Sequence, residues 1–174
     1  KGFLPWILFL SFADGSVSGL GLGGMLGVAC LLSINFSSLK KRFILDWSAL
    51  VFFLVMLITV FGLKYYKIAE FDLFAANAVL CLVCFISVAF QKPVTQQYAK
   101  LRVSEVYWHN PLFVKTNYWV TLTWGIVFLC AAVFATLFHY GFGSKLWMMQ
   151  IVPTICVVLG MAFTILFPDT YKAH

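Results

Sequence analysis

Charged residues are scarce in this sequence: Asp, Glu, Lys and Arg make up 10% of its 174 residues, whereas an ordinary soluble domain contains about 25%. Hydrophobic residues make up 63% of the chain, and the mean hydropathy is +0.96. Several membrane spans of about 20 residues fill a chain of this length. The composition therefore excludes a separate soluble domain and predicts a single integral membrane domain over residues 1–174.

Ionisable residues are missing from the centres of the apolar stretches, which contain no Lys, Arg, Asp or Glu there. The three histidines, His109, His139 and His174, lie in a loop, at the end of a span and in the tail. Ion-coupled transporters normally need an intramembrane ionisable group, and haem needs an axial ligand. Hydrolases and transferases need a nucleophile with a base, or paired carboxylates. We therefore expect no catalytic residue, no cofactor and no metal.

All five cysteines lie in apolar stretches, so they predict no disulfide framework. Cys81 and Cys84 have the spacing of a redox or metal motif. They fall near the middle of a predicted span, where burial disfavours the reactive thiolate. We therefore interpret the pair as small buried apolar residues, with redox chemistry as the alternative.

Long apolar runs bounded by charges predict an all-α, polytopic bundle of transmembrane helices. Five spans are expected, at residues 17–36, 44–63, 72–90, 117–139 and 146–167. Residues 3–13 form a shorter apolar segment that is either a short, tilted span or a re-entrant half-helix. Lys1, the apolar core and Ser11-Phe12-Ala13 also fit a signal peptide, although we expect the segment to be retained.

The distribution of charge predicts the orientation of the bundle by the positive-inside rule. Lys40, Lys41 and Arg42 follow the first long span, and the connection 91–116 on the same side is also basic. The connections on the opposite side are balanced or nearly neutral. This pattern indicates a multi-pass protein with residues 169–174 in the cytoplasm. The net charge of +6 is then explained by topology and contact with anionic membrane lipids, and not by nucleic acid.

The connection 91–116 is bracketed by Pro93 and Pro111, and its apolar residues recur near helical spacing. We expect a helix that lies in the cytoplasmic interface, although Glu105 interrupts its apolar face. Its basic side chains are candidates for contact with a lipid headgroup or a cytoplasmic partner: Lys100, Arg102 and Lys115. The alternative is a solvated positive loop that only fixes the topology.

Four glycines spaced four residues apart, Gly15, Gly19, Gly23 and Gly27, form a stripe of the glycine-zipper type along the first long span. Small residues in membrane helices let two backbones approach closely. The stripe therefore predicts a helix-packing face. Its partner is the segment 3–13, another span, or a second protein, which makes a homo-oligomer or a larger membrane complex the expected state.

Asp14 is an acidic residue flanked by apolar segments on both sides with no base nearby. It is either a proton or cation site or the N-cap of the glycine-rich helix, since Asp is a favoured N-cap residue. Trp124 is the Trp that lies clearly within a span, and its indole N–H requires a hydrogen-bond partner. Neither Thr121 nor Thr123 faces it on a helix.

The remaining polar residues of the spans are expected to form hydrogen bonds between helices. They are Asn35, Asn77, Ser87, Asn117, Thr121, Thr136 and Thr154.

The order of several short motifs resembles the intracellular septation protein A family, small polytopic proteins of the bacterial inner membrane. In the first half these are the run Phe3-Leu-Pro-Trp-Ile-Leu-Phe-Leu, a small-residue helix, the basic run Leu39-Lys-Lys-Arg-Phe, and Asp46-Trp47. In the second half they are Gln91-Lys92-Pro93, Trp108, Pro111, Asn117, Trp124 and Phe128. The resemblance implies a role in cell-envelope organisation through protein–protein contacts, and it implies no catalytic residues.

Three hypotheses for the function follow. The first is a non-enzymatic protein that organises the cell envelope or serves as an accessory subunit of a membrane complex through helix packing. The second is a small transporter, channel or lipid-handling protein that uses Asp14. The third is a membrane enzyme or a quinone-associated subunit.

Overall fold

The computed structural model describes residues 2–139 and 155–166, and these residues are mostly helical, with no strand among them. Eight α-helices are present in the described ranges, joined by short turns. They are α1 (Leu4–Phe12), α2 (Val17–Ser33), α3 (Phe36–Lys40), α4 (Ile44–Leu57), α5 (Asp72–Ala89), α6 (Val94–Ala99), α7 (Pro111–His139) and α8 (Ile155–Leu166). The predicted all-α class is therefore confirmed.

The chain divides into two compact units, Lys1–Val79 and Leu80–His174, and the division falls within α5. In the first unit, α2 lies between α1 and α4 and runs antiparallel to both. Gly23 of α2 meets Phe9 of α1, and Gly24 of α2 meets Leu57 of α4. Four aromatic rings join α1 directly to α4, with centroids of neighbouring rings 5.2–5.7 Å apart: Trp6, Phe9, Phe52 and Phe53. All four side chains are buried.

Local sequence explains where these helices begin and end. Pro5 lies in the first turn of α1, where its missing N–H costs nothing. Ser16 caps α2, because its hydroxyl accepts a hydrogen bond from the Gly19 amide at 2.9 Å. α4 continues into a π-helical turn, Ile58–Gly62, and the chain then turns at Lys64, whose φ is +56°.

In the second unit, α6 packs against α7, and α8 packs antiparallel to α7. Thr95 of α6 donates a hydrogen bond to the Asn117 carbonyl at 3.0 Å and shares another with the Thr121 hydroxyl at 2.8 Å. Gly160 of α8 lies against Val127 and Trp124 of α7. These contacts place Thr121 in a hydrogen bond between helices.

Three helical stretches of the described residues are long and apolar enough to cross a membrane: Ile44–Gly62, Tyr66–Ala89 and Pro111–Leu137. They match three of the five predicted spans, which marks the chain as a membrane protein. The helix expected at residues 17–36 ends at Ser33 and is followed by the short α3. Of the span expected at residues 146–167, the structure describes Ile155–Leu166. The segment 3–13 forms α1, whose nine residues cover about 14 Å.

The helix expected in the connection 91–116 is present as a short segment near its start. The connection contains α6, which stops at Ala99, and a single 3-10 turn, Glu105–Tyr107, before α7 begins at Pro111. Ser104 is extended, with ψ at 149°, and separates the two pieces. The hydrogen bonds of Thr95 to α7 anchor the start of the connection, and no unbroken apolar face extends past Glu105 to hold a longer helix.

Candidate functional site

The predicted glycine stripe lies inside the first unit, where it meets two different helices. A Cβ atom on Gly23 would lie 2.9 Å from the Phe9 carbonyl oxygen and 3.2 Å from Phe9 Cα, both backbone atoms of α1. A Cβ atom on Gly19 would collide with the Phe12 carbonyl oxygen and the Asp14 carboxylate. These two glycines let the backbones of α1 and α2 approach as a close hairpin.

Gly27 faces α4 instead of α1. Its Cβ would lie 2.6 Å from Phe53 Cε2, and Phe53 is fully buried. Gly15 has yet another role: it precedes α2 and has a φ of +79°, a conformation that side chains other than glycine rarely adopt. The four predicted positions therefore share one sequence spacing but serve three structural purposes.

A second glycine row on α2, formed by Gly21, Gly24 and Gly27, was not predicted from the sequence. A Cβ on Gly21 would lie 2.8 Å from Phe61 Cζ, and a Cβ on Gly24 would lie 3.0 Å from Leu57 Cδ2. The glycines of this row are three residues apart on α2. The residues that they contact, Phe53, Leu57 and Phe61, are four residues apart. This is the packing of i±3 ridges against i±4 grooves. The spacing of three residues between these glycines can be read from the sequence, but the residues that they contact cannot.

Asp14 lies in the turn between α1 and α2, exposed and outside the helices. It is not the N-cap, which is Ser16, because its carboxylate instead accepts the Ser16 amide at 2.9 Å. Hydrogen bonds from the hydroxyl and the amide of Ser16 hold the pKa of the Asp14 carboxyl below its ordinary value. Asp72, which is buried, accepts the Gly15 amide at 3.3 Å, so the start of α5 is tied to the same turn.

Asn35 and Asp46 form a buried polar pair that joins the end of α2 to the first turn of α4. The Asn35 side-chain amide donates to Asp46 Oδ1 at 2.8 Å, and the two residues are 1% and 0% exposed. Nearby, the Trp47 indole donates to the Leu39 carbonyl at 3.0 Å. The sequence pointed to Asn35 as an interhelical partner but did not identify Asp46.

Several other polar side chains of the spans bond within their own helix instead of to a neighbour. The amides of Asn77 and Asn117 and the hydroxyls of Ser87 and Thr136 each donate to a carbonyl three or four residues earlier. Ser87 also accepts the Val94 amide at 3.3 Å and so reaches α6. Thr154 lies outside the described residues.

The three predicted basic contacts lie in the second unit and are divided between two elements. Lys100 follows α6, and its ammonium group lies 5.1 Å from the centre of the Trp108 ring, within the range of a cation–π interaction. Arg102 is exposed in the turn beyond it, whereas Lys115 is exposed in the first turns of α7. Lys100 and Lys115 therefore belong to different segments and not to one helical face.

The remaining chemistry-bearing groups are buried among apolar neighbours. Cys81 and Cys84 are free thiols on the buried side of α5. Residues 2–139 and 155–166 contain no group of three His, Cys, Asp or Glu side chains placed to hold a metal ion. Trp124 donates its indole N–H to the Thr164 hydroxyl of α8 at 3.0 Å.

Comparison of the chain with protein-family models, with curated proteins and with solved structures finds no match. The candidate functional feature is therefore defined by its geometry alone: a three-helix cluster of α1, α2 and α4, in which glycines bring the backbones together.

Proposed function

We propose that this chain is a non-enzymatic, multi-pass protein of the bacterial inner membrane that acts by binding other membrane proteins. It serves in cell-envelope organisation or as an accessory subunit of a membrane complex. The proposal is supported by the three apolar helices of membrane-spanning length and by the resemblance to the intracellular septation protein A family.

The close packing of α2 is the observation that carries the proposal. α1 and α4 cover its glycine faces, so the inward sides of this helix are already occupied within one chain. Its opposite side carries an outer ridge of exposed side chains, Leu22, Met25, Leu26 and Leu32, on a helix that packs closely against α1 and α4. A binding surface on a rigid element keeps its shape, which favours specific recognition. We assign the contact with a partner, or with a second copy, to this outer ridge.

The proposed orientation rests on the basic connections. Lys40, Lys41 and Arg42 lie at the turn between α3 and α4, and Arg102 lies in the connection after α5. Basic residues near span ends favour the cytoplasmic side. The proposal therefore places both connections and the C-terminal tail in the cytoplasm, and it assigns Arg102 and Lys115 to contacts with anionic headgroups.

A transporter that uses Asp14 has weaker support. Ionisable groups that couple ion movement in membranes face the bundle interior or a cavity. Asp14 is exposed in a turn and already accepts hydrogen bonds from Ser16. Its geometry is that of a residue that shapes the α1–α2 turn.

The proposal is tested by extracting the chain with its surrounding lipid in polymer nanodiscs and measuring the protein mass of each particle. We expect more than one copy, or one copy with a second protein in fixed ratio. Met25→Trp on the outer ridge should reduce each particle to a single copy. Ile126→Trp, which adds the same ring at an exposed position of α7, is the matched control and should preserve the assembly. Single copies of the unsubstituted chain would contradict the proposal.

A further inference from the structure

A groove lies on the outer side of α4 in the first unit. It has a volume of about 760 Å³. Its wall is formed by Ile44, Trp47, Ser48, Val51, Phe52 and Val55 of α4, with Val79 of α5 opposite and Arg42 at one end. The helix positions recur at steps of three and four residues, so they form one continuous face of α4.

The groove is apolar along its length and polar at one end. Val51 and Val55 are 55% and 54% exposed, which leaves this face of α4 without a covering element in the described residues. Ser48, Trp47 and Arg42 gather toward the start of the helix. The polarity therefore changes along the groove in the same way as it changes from the surface of a membrane to its interior.

The length of the groove matches one leaflet of a bilayer. Ile44 and Val55 are separated by eleven residues, which is about 16 Å along a helix. Half of the hydrocarbon core of a bilayer is about 15 Å thick. An acyl chain whose headgroup lies beside Arg42 would therefore follow the groove to the middle of the membrane.

Arg42 supplies the charge that selects the headgroup. It is exposed, next to Lys40 and Lys41, and the described residues show no ion pair to any of the three. The nearby carboxylate of Asp46 is buried and bound to Asn35, so it faces away from the groove. A guanidinium can bind a phosphate oxygen pair through two parallel hydrogen bonds.

Arg42 ends α3 in the left-handed backbone conformation, which Lys64 and Gln91 also adopt. The φ of Arg42 is +58°. Two hydrogen bonds form a Schellman motif here: the Arg42 amide donates to the Leu39 carbonyl, and the Phe43 amide donates to the Ser38 carbonyl. Glycine is the residue that fits this position without strain.

A lipid fits the groove better than a helix does. Contacts between membrane helices are enriched in small residues that allow close approach. The groove wall instead carries branched and aromatic side chains, with Ser48 as its one small residue. We propose that this groove binds an anionic phospholipid, whose phosphate contacts Arg42 and whose acyl chain lies between α4 and Val79. This inference does not depend on the proposed partner contact of α2.

The test is native mass spectrometry of the full chain in detergent with phosphatidylglycerol or phosphatidylcholine of identical acyl chains. We expect phosphatidylglycerol to be retained about fivefold more strongly, and Arg42→Gly to remove most of this difference while relieving the backbone strain. Lys41→Gln removes the same charge beside the groove and should leave the retention close to that of the unsubstituted protein. If the Arg42→Gly variant does not fold, the Arg42→Asn variant is used in its place, because asparagine also tolerates a positive φ.

The acyl-chain part is tested by Val51→Trp, which fills the groove at an exposed position. We expect it to lower the retention of both lipids, whereas Leu54→Trp, exposed on the same helix but outside the groove, should not. Equal retention of the two lipids would overturn the proposal. The proposal would also be overturned if Lys41→Gln lowered the retention of phosphatidylglycerol as much as Arg42→Gly does. A second protein chain that Val51→Trp displaces, with no change in lipid retention, would overturn it as well.

Discussion

Gly27 of α2 and Phe53 of α4 form a matched pair, in which the missing side chain of one residue makes the space that the ring of the other occupies. A Cβ on Gly27 would lie 2.6 Å from Phe53 Cε2 and 2.9 Å from Phe53 Cδ2. Phe53 itself packs at 5.2 Å on Phe9, the residue of α1 that meets Gly23. The glycine row of α2 and the aromatic cluster are therefore one packing unit.

We predict that Gly27→Ala destabilises the protein. The added methyl group cannot be accommodated without moving the buried Phe53 ring, and overpacking of this kind costs about 1–3 kcal/mol. This loss exceeds the gain in helix propensity, which is about 1 kcal/mol for glycine to alanine. Thermal unfolding in detergent, followed by circular dichroism, measures the change.

Gly62→Ala is the matched control for this prediction. A Cβ on Gly62 would lie 3.6 Å from Ile58 Cγ2, which is an ordinary van der Waals contact. The control variant should melt at or slightly above the temperature of the unsubstituted protein. Equal melting temperatures for Gly27→Ala and Gly62→Ala would contradict the assigned packing.

We predict that Gly23→Ile separates α1 from α2 within a single chain. The side chain would enter the space of the Phe9 backbone, which cannot move without displacing the whole of α1. Hydrogen–deuterium exchange of the α1 amides should therefore accelerate. Leu54→Ile places the same side chain on the exposed side of α4 and should leave the exchange unchanged. Unchanged α1 exchange in Gly23→Ile, together with loss of an oligomer, would instead place the glycine face at a contact between chains.

The three membrane-length helices were predictable because the alternation of apolar runs and charges is a local signal. Residues 44–63 and 72–90 correspond closely to Ile44–Gly62 and Tyr66–Ala89. The extent of the helix in the connection 91–116 was not predictable in the same way. α6 stops at Ala99, and the contact between Thr95 and Thr121 that holds it against α7 joins residues 26 apart in the sequence.

The glycine face was predictable as a close contact but not in its partners. The spacing of four pointed to Gly19, Gly23 and Gly27, whereas the role of Gly21 and Gly24 depends on side chains of α4 and the turn that follows it. A glycine row predicts a close contact, but it does not identify the residues that make this contact. The N-cap was misplaced for a related reason, since Asp14 and Ser16 are both good capping residues and only the path of the turn selects Ser16.

We predict that Asn35→Ala destabilises the junction of α2 and α4. The substitution removes a buried donor to Asp46 Oδ1, and leaving a buried acceptor without its donor costs about 1–3 kcal/mol. Thermal unfolding measures the loss. Asn77→Ala is the control, because its amide donates to the Leu73 carbonyl of its own helix and joins no second element. A larger loss for Asn77→Ala would show that Asn35 is not the structural residue.

We predict that Thr164→Val loosens α8 from α7, whereas Thr164→Ser does not. Valine keeps the shape but removes the oxygen that accepts the Trp124 indole N–H at 3.0 Å, and hydrogen bonds between membrane helices contribute about 0.6–1.7 kcal/mol. Serine keeps that oxygen. Tryptophan fluorescence of a variant that retains only Trp124 should shift, and hydrogen exchange of α8 should accelerate, for valine alone. Identical behaviour of the valine and serine variants would mean that shape, and not the hydrogen bond, holds α8 in place.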